Sequence, residues 1–109
     1  QVIELETKGK DGRFAWEDVL AVLEKEGIRS VMIEGGGEVI RSLLVPPDNR
    51  FVHSVIVTIA PTWLGQGGIM VSPPRAVHPD GMLAMPVRLT DVKWCPMGED
   101  VVLCGRILR

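Results

Sequence analysis

The chain has 109 residues, of which 46% are hydrophobic and 24% are charged, and its formal net charge is −2. This length accommodates one domain with a modest core, and the charge balance provides no basic surface for nucleic acid. The apolar runs are short and interrupted, so no membrane span is expected. Residues 1–20 contain no secretory leader pattern, and the two sparse cysteines favour a cytoplasmic protein.

The first part of the chain predicts a strand end, a turn and a helix. The strand end is Val2–Leu5, and because the chain enters it without an initiator Met, we expect a piece of a longer protein. Polar residues and two glycines over 8–12 then predict a turn. The i, i+3, i+4, i+7 spacing of a helix follows, and Gly27 is expected to end that helix. The apolar positions of this helix are Trp16, Val19, Leu20 and Leu23.

The stretch Ser30–Leu44 predicts a strand, a glycine turn and a helix in direct succession. The strand is expected over Ser30–Glu34 and the helix over Gly37–Val45, with consecutive glycines between them. Glycines allow a ligand to approach the main chain, and a helix N-terminus offers free N–H groups to an anion. The pattern therefore predicts a phosphate-binding turn. A tight turn that needs glycine only for steric reasons is the alternative.

The remainder of the chain predicts a mixed sheet. The nearly continuous apolar stretch Phe51–Ala60 is typical of a central strand, and with Ser30–Glu34 and the helix it would form a parallel βαβ unit. Pro61–Pro86 is rich in Gly and Pro and is expected to be largely loop, with a brief strand over 69–71. Two strands around a turn at 97–100 predict an antiparallel hairpin, with a bulge near Asp91. The expected fold class is α/β.

Two carboxylates near the glycine turn are candidates for function. Glu34 lies where a predicted strand meets its turn, and since a carboxylate repels phosphate, we expect it to bind a hydroxyl or amine of a substrate. A capping role at the following helix is the open alternative. Glu38 falls in the first helical turn, where it complements the helix dipole.

Histidines and cysteines do not predict a catalytic or metal site. His53 and His78 have no Ser, Cys or Asp at a spacing typical of a nucleophilic or metal centre. Cys95 and Cys104 form no Cys-x-x-Cys pair and flank the hairpin turn, so we expect free thiols, with a disulfide as the alternative.

Two segments resemble a known family. Gly27-Ile-Arg-Ser-Val-Met-Ile-Glu-Gly-Gly-Gly-Glu-Val-Ile40 and Val55-Ile-Val-Thr-Ile-Ala-Pro-Thr-Trp-Leu-Gly65 are similar to the reductase domain of riboflavin biosynthesis. The resemblance extends to the fungal-type 2,5-diamino-6-ribosylamino-4(3H)-pyrimidinone 5′-phosphate reductases, whose ending is similar to Gly98–Arg106. It covers essentially the whole chain.

The resemblance implies a dihydrofolate-reductase-like fold, NADPH as hydride donor, a homodimer and no metal. The reaction it implies is reduction of the ribosyl group of the pyrimidine phosphate to a ribityl chain. Glu34 would be the substrate-contacting glutamate. The residues implied to bind the cofactor are Gly35, Gly36, Gly37, Glu38, Val39 and Ile40. A third glycine at position 37 departs from the commoner small residue of the family.

The family's domain is about twice as long as this chain, so residues 1–109 are expected to be the C-terminal part of a single reductase domain. The catalytic residues are not identified. Two alternatives remain: a non-catalytic dimerisation or binding fragment of the same fold, or a similar oxidoreductase with another substrate. Because open strand edges pair readily with other chains, we expect a dimer or higher oligomer.

Overall fold

The computed structural model describes residues 2–5 and 12–108. They form helices α1 (Trp16–Lys25) and α2 (Gly37–Leu44), a short 3-10 helix (Asp48–Phe51), and strands β1 (Val55–Ile59), β2 (Leu89–Met97) and β3 (Asp100–Ile107). The chain divides into two compact units, Gln1–Gly36 and Gly37–Arg109. An α/β composition is confirmed, and most of the predicted turn at 8–12 lies outside the described residues.

Helix α1 confirms the element predicted from its apolar spacing. Glu17 and Asp18 occupy its first turn and Lys25 its last, as the helix dipole favours. It ends in a pair of backbone bonds, from Gly27 N–H to Glu24 O (2.9 Å) and from Ile28 N–H to Leu23 O (3.0 Å). Gly27 adopts φ +80° there, a conformation that favours glycine, so the C-cap prediction is also confirmed.

Two predicted strands of the first unit are not formed. Val2–Leu5 carries no strand, and Ser30–Glu34 is irregular throughout. Val31 and Met32 leave 45% and 74% of their surface exposed. A strand exists only when a neighbouring strand satisfies its backbone groups, and no described segment pairs with either stretch. The parallel βαβ unit is therefore not seen among the described residues.

The sheet of the second unit is antiparallel throughout, in the order β1-β3-β2. Met97 pairs with Asp100 across a two-residue turn, which confirms the hairpin. The register shifts between Thr90 and Lys93, and Asp91 has φ 51°, which confirms the bulge.

The prediction that 51–60 forms a central strand is wrong. Its first residue belongs to the 3-10 helix, and β1 is a five-residue strand at the edge of the three-stranded sheet. The two prolines that end α2 begin a turn, and the chain closes a tight 3-10 segment before it can extend. The apolar residues of 51–60 therefore do not mark a buried strand, because β1 lies in a sheet with an uncovered face.

One face of the sheet is apolar and mostly uncovered. Val57, Leu103 and Trp94 lie side by side across the three strands, because residues paired in an antiparallel register share a face. Val57 and Trp94 are 41% and 61% exposed. The buried apolar residues of the described chain are Leu43 and Ile107, at 7% and 8% exposure. A sheet of this composition is suited to packing against further structure on that face.

The segment 61–86 is loop, as predicted, except for a bridge between Val77 and Leu83. A turn inside it is held by Met82 N–H donating to Asp80 Oδ1 at 2.9 Å. The brief strand predicted over 69–71 is not formed. Ile69 and Met70 instead lie next to Gly37 at the start of α2, as described below.

Candidate functional site

The three consecutive glycines have three different structural environments. Gly35 adopts φ +137°, in the region that favours glycine. Gly37 is buried, whereas Gly36 has an ordinary φ and no atom within 4 Å of the position a Cβ would take. The backbone therefore needs glycine at 35, and packing needs it at 37.

Gly36 is the informative position. Neither backbone strain nor a described neighbour excludes a side chain there. A steric requirement of the turn, the alternative left by the sequence, thus explains Gly35 and Gly37 and leaves Gly36 unexplained. Open space beside a glycine next to a helix start suits the close approach of a ligand to the main chain.

Gly37 opens α2 and contacts a loop that sequence patterns did not connect with it. A Cβ at Gly37 would collide with Ile69 Cγ2 and lie 3.6 Å from Met70 O. Ile69 and Met70 are otherwise 74% and 75% exposed, so this contact anchors an open loop segment. The only sequence signal for it was the extra glycine at 37, together with Gly67 and Gly68 just before Ile69.

Helix α2 begins at Gly37, the last of the three glycines in the sequence. The first four N–H groups of a helix have no acceptor within it, and the dipole makes that end positive. Glu38 occupies this first turn, and Arg41 Nη2 donates a hydrogen bond to Glu38 Oε1. Val39 is exposed at 38% and Ile40 is half-buried. Backbone donors, rather than a cationic side chain, are the groups available to an anion here.

Glu34 immediately precedes the glycine turn and is exposed. It stands in the first unit, two residues before the end of that unit at Gly36. A solvent-accessible carboxylate at this point is able to accept hydrogen bonds from hydroxyl or amine groups.

The other sequence candidates do not gather into a site. His53 and His78 are exposed in irregular segments. In residues 2–5 and 12–108, no three His, Cys, Asp or Glu side chains are grouped so as to hold a metal ion. None of the helices in the described part of the chain is long and apolar enough to cross a membrane.

Cys95 and Cys104 are free thiols, as expected. Cys95 pairs with Val102 and Cys104 with Lys93, so the two cysteines are diagonal neighbours on one face of the hairpin. Diagonal positions lie about 7–8 Å apart in an antiparallel sheet. That is beyond the usual disulfide span of about 4.4–6.8 Å between Cα atoms.

Comparison with known proteins identifies the relatives of this chain. The family described as RibD C-terminal domain matches residues 1–103. The 2,5-diamino-6-ribosylamino-4(3H)-pyrimidinone 5′-phosphate reductase of Saccharomyces cerevisiae is 42% identical over 93 residues, which cover 84% of this chain and 33% of that protein. The reductase of the same name from Candida glabrata is 38% identical over 96 residues, covering 87% of this chain and 34% of that protein.

A solved structure is similar as well. The riboflavin biosynthesis reductase Rib7 of Saccharomyces cerevisiae superimposes with a TM-score of 0.69 at 40% identity, covering 87% of this chain and 41% of that one. The chain thus spans about a third of the length of these curated relatives.

Proposed function

This chain belongs to the RibD C-terminal domain family, and from that premise we propose that it is the C-terminal part of an NADPH-dependent reductase of riboflavin biosynthesis. The reaction proposed is reduction of the ribosyl group of 2,5-diamino-6-ribosylamino-4(3H)-pyrimidinone 5′-phosphate to a ribityl chain. Relatives with this reductase name cover most of the chain. The observation that carries the proposal is Gly36: the space around its Cβ position is open, so the described fold does not itself require glycine there.

The residues present fit a dinucleotide. Its pyrophosphate would be held by main-chain N–H groups of the glycine turn (Gly35–Gly37) and of Glu38, Val39 and Ile40 in the first turn of α2. A side chain at Gly36 would fill the space that the ligand needs. When bound, the cofactor supplies hydride to the carbon that is reduced. The chain's own part is to bind and orient.

Glu34 is proposed to contact the substrate rather than the cofactor. A carboxylate near a pyrophosphate is electrostatically unfavourable, whereas substrate hydroxyl and amine groups donate to it. Glu34→Gln should therefore raise KM for the pyrimidine substrate while leaving the Kd for NADPH near its original value. Equal losses for both ligands would instead indicate a structural cap.

The 109 residues alone are proposed to be insufficient for turnover. About two thirds of each relative lies outside the matched region, and we expect the catalytic residues in that part of the complete protein. We expect the isolated chain to bind NADPH weakly and to show no oxidation of NADPH with the substrate. Robust turnover by the isolated chain would contradict this.

Assembly is proposed because the sheet is open. β1 lies at one edge of the sheet, and the apolar face marked by Val57, Leu103 and Trp94 is mostly uncovered. A homodimer or higher oligomer would cover such surfaces. Pairing of 30–34 with a parallel neighbour, which would complete the predicted βαβ unit of a dihydrofolate-reductase-like sheet, belongs to the same proposal. So does a cytoplasmic location, in keeping with two free thiols.

The open face also favours the alternative of a non-catalytic assembly fragment, and NADPH binding separates the two. Gly36→Val in the complete protein should weaken NADPH binding by about a hundredfold or more, because a branched side chain would occupy the ligand's approach. Fluorescence titration gives the Kd, and circular dichroism verifies the fold.

Gly68→Val is the matched control. Gly68 also has an ordinary φ and nothing within 4 Å of its Cβ position. Normal NADPH binding by a folded Gly36→Val protein, or an equal loss in Gly68→Val, would refute the phosphate-binding turn. Absence of NADPH binding in the unmodified complete protein would favour the assembly fragment.

A further inference from the structure

The proposed cofactor site contains an electrostatic conflict. Glu38 places a carboxylate, 62% exposed, in the first turn of α2. The positive end of the helix dipole attracts that carboxylate and a pyrophosphate alike, and the two anions repel each other. A helix that receives an anionic ligand at its N-terminus therefore needs the charge of Glu38 to be balanced.

Arg41 supplies the balance within the same helix. Its Nη2 donates to Glu38 Oε1, three residues back along α2, and the two are the only charged residues of that helix. The guanidinium side chain is 38% exposed, so it is partly shielded from solvent. Charges that are partly desolvated interact more strongly than fully hydrated ones.

One hydrogen-bond donor of the Arg41 guanidinium has no acceptor in the described part of the chain. Arg41 Nε is buried and has no hydrogen-bond partner among the residues that the structure describes. A buried N–H without an acceptor is unfavourable, and the described hydrogen bond of the guanidinium is the one from Nη2 to Glu38. Its one described ion-pair partner is the carboxylate at the proposed cofactor site.

We propose that Arg41 is a positioning residue: it neutralises Glu38 and holds its carboxylate against α2. The first turn then carries no net negative charge where its N–H groups face the anionic dinucleotide. This inference rests on the proposed function. Under it, Glu38 serves the cofactor through its backbone N–H, while its side chain stays paired with Arg41.

Removing the positive charge tests the proposal. Arg41→Met keeps the aliphatic stem and removes the guanidinium charge from beside the Glu38 carboxylate. In the complete protein, the Kd for NADPH should rise about fivefold to tenfold at low salt, and this increase should shrink toward physiological ionic strength. KM for NADPH should rise with it, with kcat nearly constant.

A double mutant distinguishes neutralisation from direct contact. Glu38→Gln combined with Arg41→Met removes both charges and should restore the Kd to within about twofold of the original value. Glu38→Gln alone should bind NADPH more tightly, and Arg41→Lys should retain binding because it keeps the charge. Tighter binding by Glu38→Gln is not expected of a purely structural pair, whereas Arg41→Lys serves as the charge-conserving control.

The outcomes that overturn the inference are specific. A double mutant as weak as Arg41→Met would show that Arg41 acts by contacting the ligand or by supporting the fold, and an unchanged Kd in Arg41→Met would show that no neutralisation is needed. If Arg41→Met does not fold, Glu38→Gln decides, since looser or unchanged binding would refute the inference. Failure of the unmodified protein to bind NADPH would remove the proposed function itself.

Discussion

The hairpin β2–β3 and the stretch 30–44 differ in how much of their predicted structure the chain forms. In the hairpin, the turn, both strands and the bulge are present. In 30–44, the helix is present and the strand before it is not. The strands of a hairpin are adjacent in sequence, whereas a parallel strand needs a neighbour reached through a long connection. The pairs that form are antiparallel, both the local hairpin and the pairing of β1 with the distant β3, whereas a parallel partner for 30–34 is not found among the described residues.

The largest stability effect should come from the contact that joins α2 to the distant loop. Gly37→Val should destabilise the complete protein by about 2–3 kcal/mol, because the new side chain would collide with Ile69 and overpack a buried position. Urea unfolding measures the change. Adding Ile69→Ala should recover part of the loss, and strict additivity of the two substitutions would mean that the contact is absent.

A smaller effect is expected inside the sheet, where Gly105 on β3 is buried. A Cβ at Gly105 would lie 3.1 Å from Leu89 Cβ and 3.4 Å from Thr90 O, a tight fit that needs a small local shift. Gly105→Ala should cost about 1–2 kcal/mol in urea unfolding. Leu89→Ala keeps the Cβ of residue 89 but removes Leu89 Cδ1, which lies 3.3 Å from the Cβ position at Gly105, so the double mutant should lose less than the sum of the two. A neutral Gly105→Ala would show that the strands adjust freely.

The smallest change in stability is expected at the end of α1, a feature formed by residues close together in the sequence. Gly27 ends α1 with φ +80° and has open space around its Cβ position. Gly27→Ala should therefore cost about 1 kcal/mol from backbone strain alone, with no effect on the Kd for NADPH. Gly27→Asn should cost less, since Asn tolerates this conformation better, and thermal unfolding of the pair provides the comparison.

The elements that the sequence predicted correctly carry their cause within a few residues. The apolar spacing and Gly27 predicted α1, and the turn and parity shift predicted the hairpin and its bulge at Asp91. The continuous apolar stretch 51–60 misled because an uncovered sheet face and a buried central strand have the same composition. Pattern alone does not reveal which face of a strand is covered.

The candidate site was predictable in position and only partly in detail. The succession of glycines and a helix start located the turn, and the open space at Gly36 agrees with that interpretation. The packing of Ile69 on Gly37 was not predictable, because it joins residues 32 positions apart through an irregular loop. The i, i+3 rule for helices would have predicted the Glu38–Arg41 pair, but Glu38 was assigned only to the helix dipole and, by resemblance, to the cofactor site.

The Ile69–Gly37 contact divides the loop 61–86 into two spans with different freedom to change length. The span from β1 to Ile69 ends at the contact with Gly37, so a change in its length bears directly on that contact. The span after Met70 runs over exposed residues to β2 and can absorb insertions at little entropic cost. Peptide tags or labels are therefore best inserted at the exposed turn around Asp80, where loop length is not constrained by the start of α2.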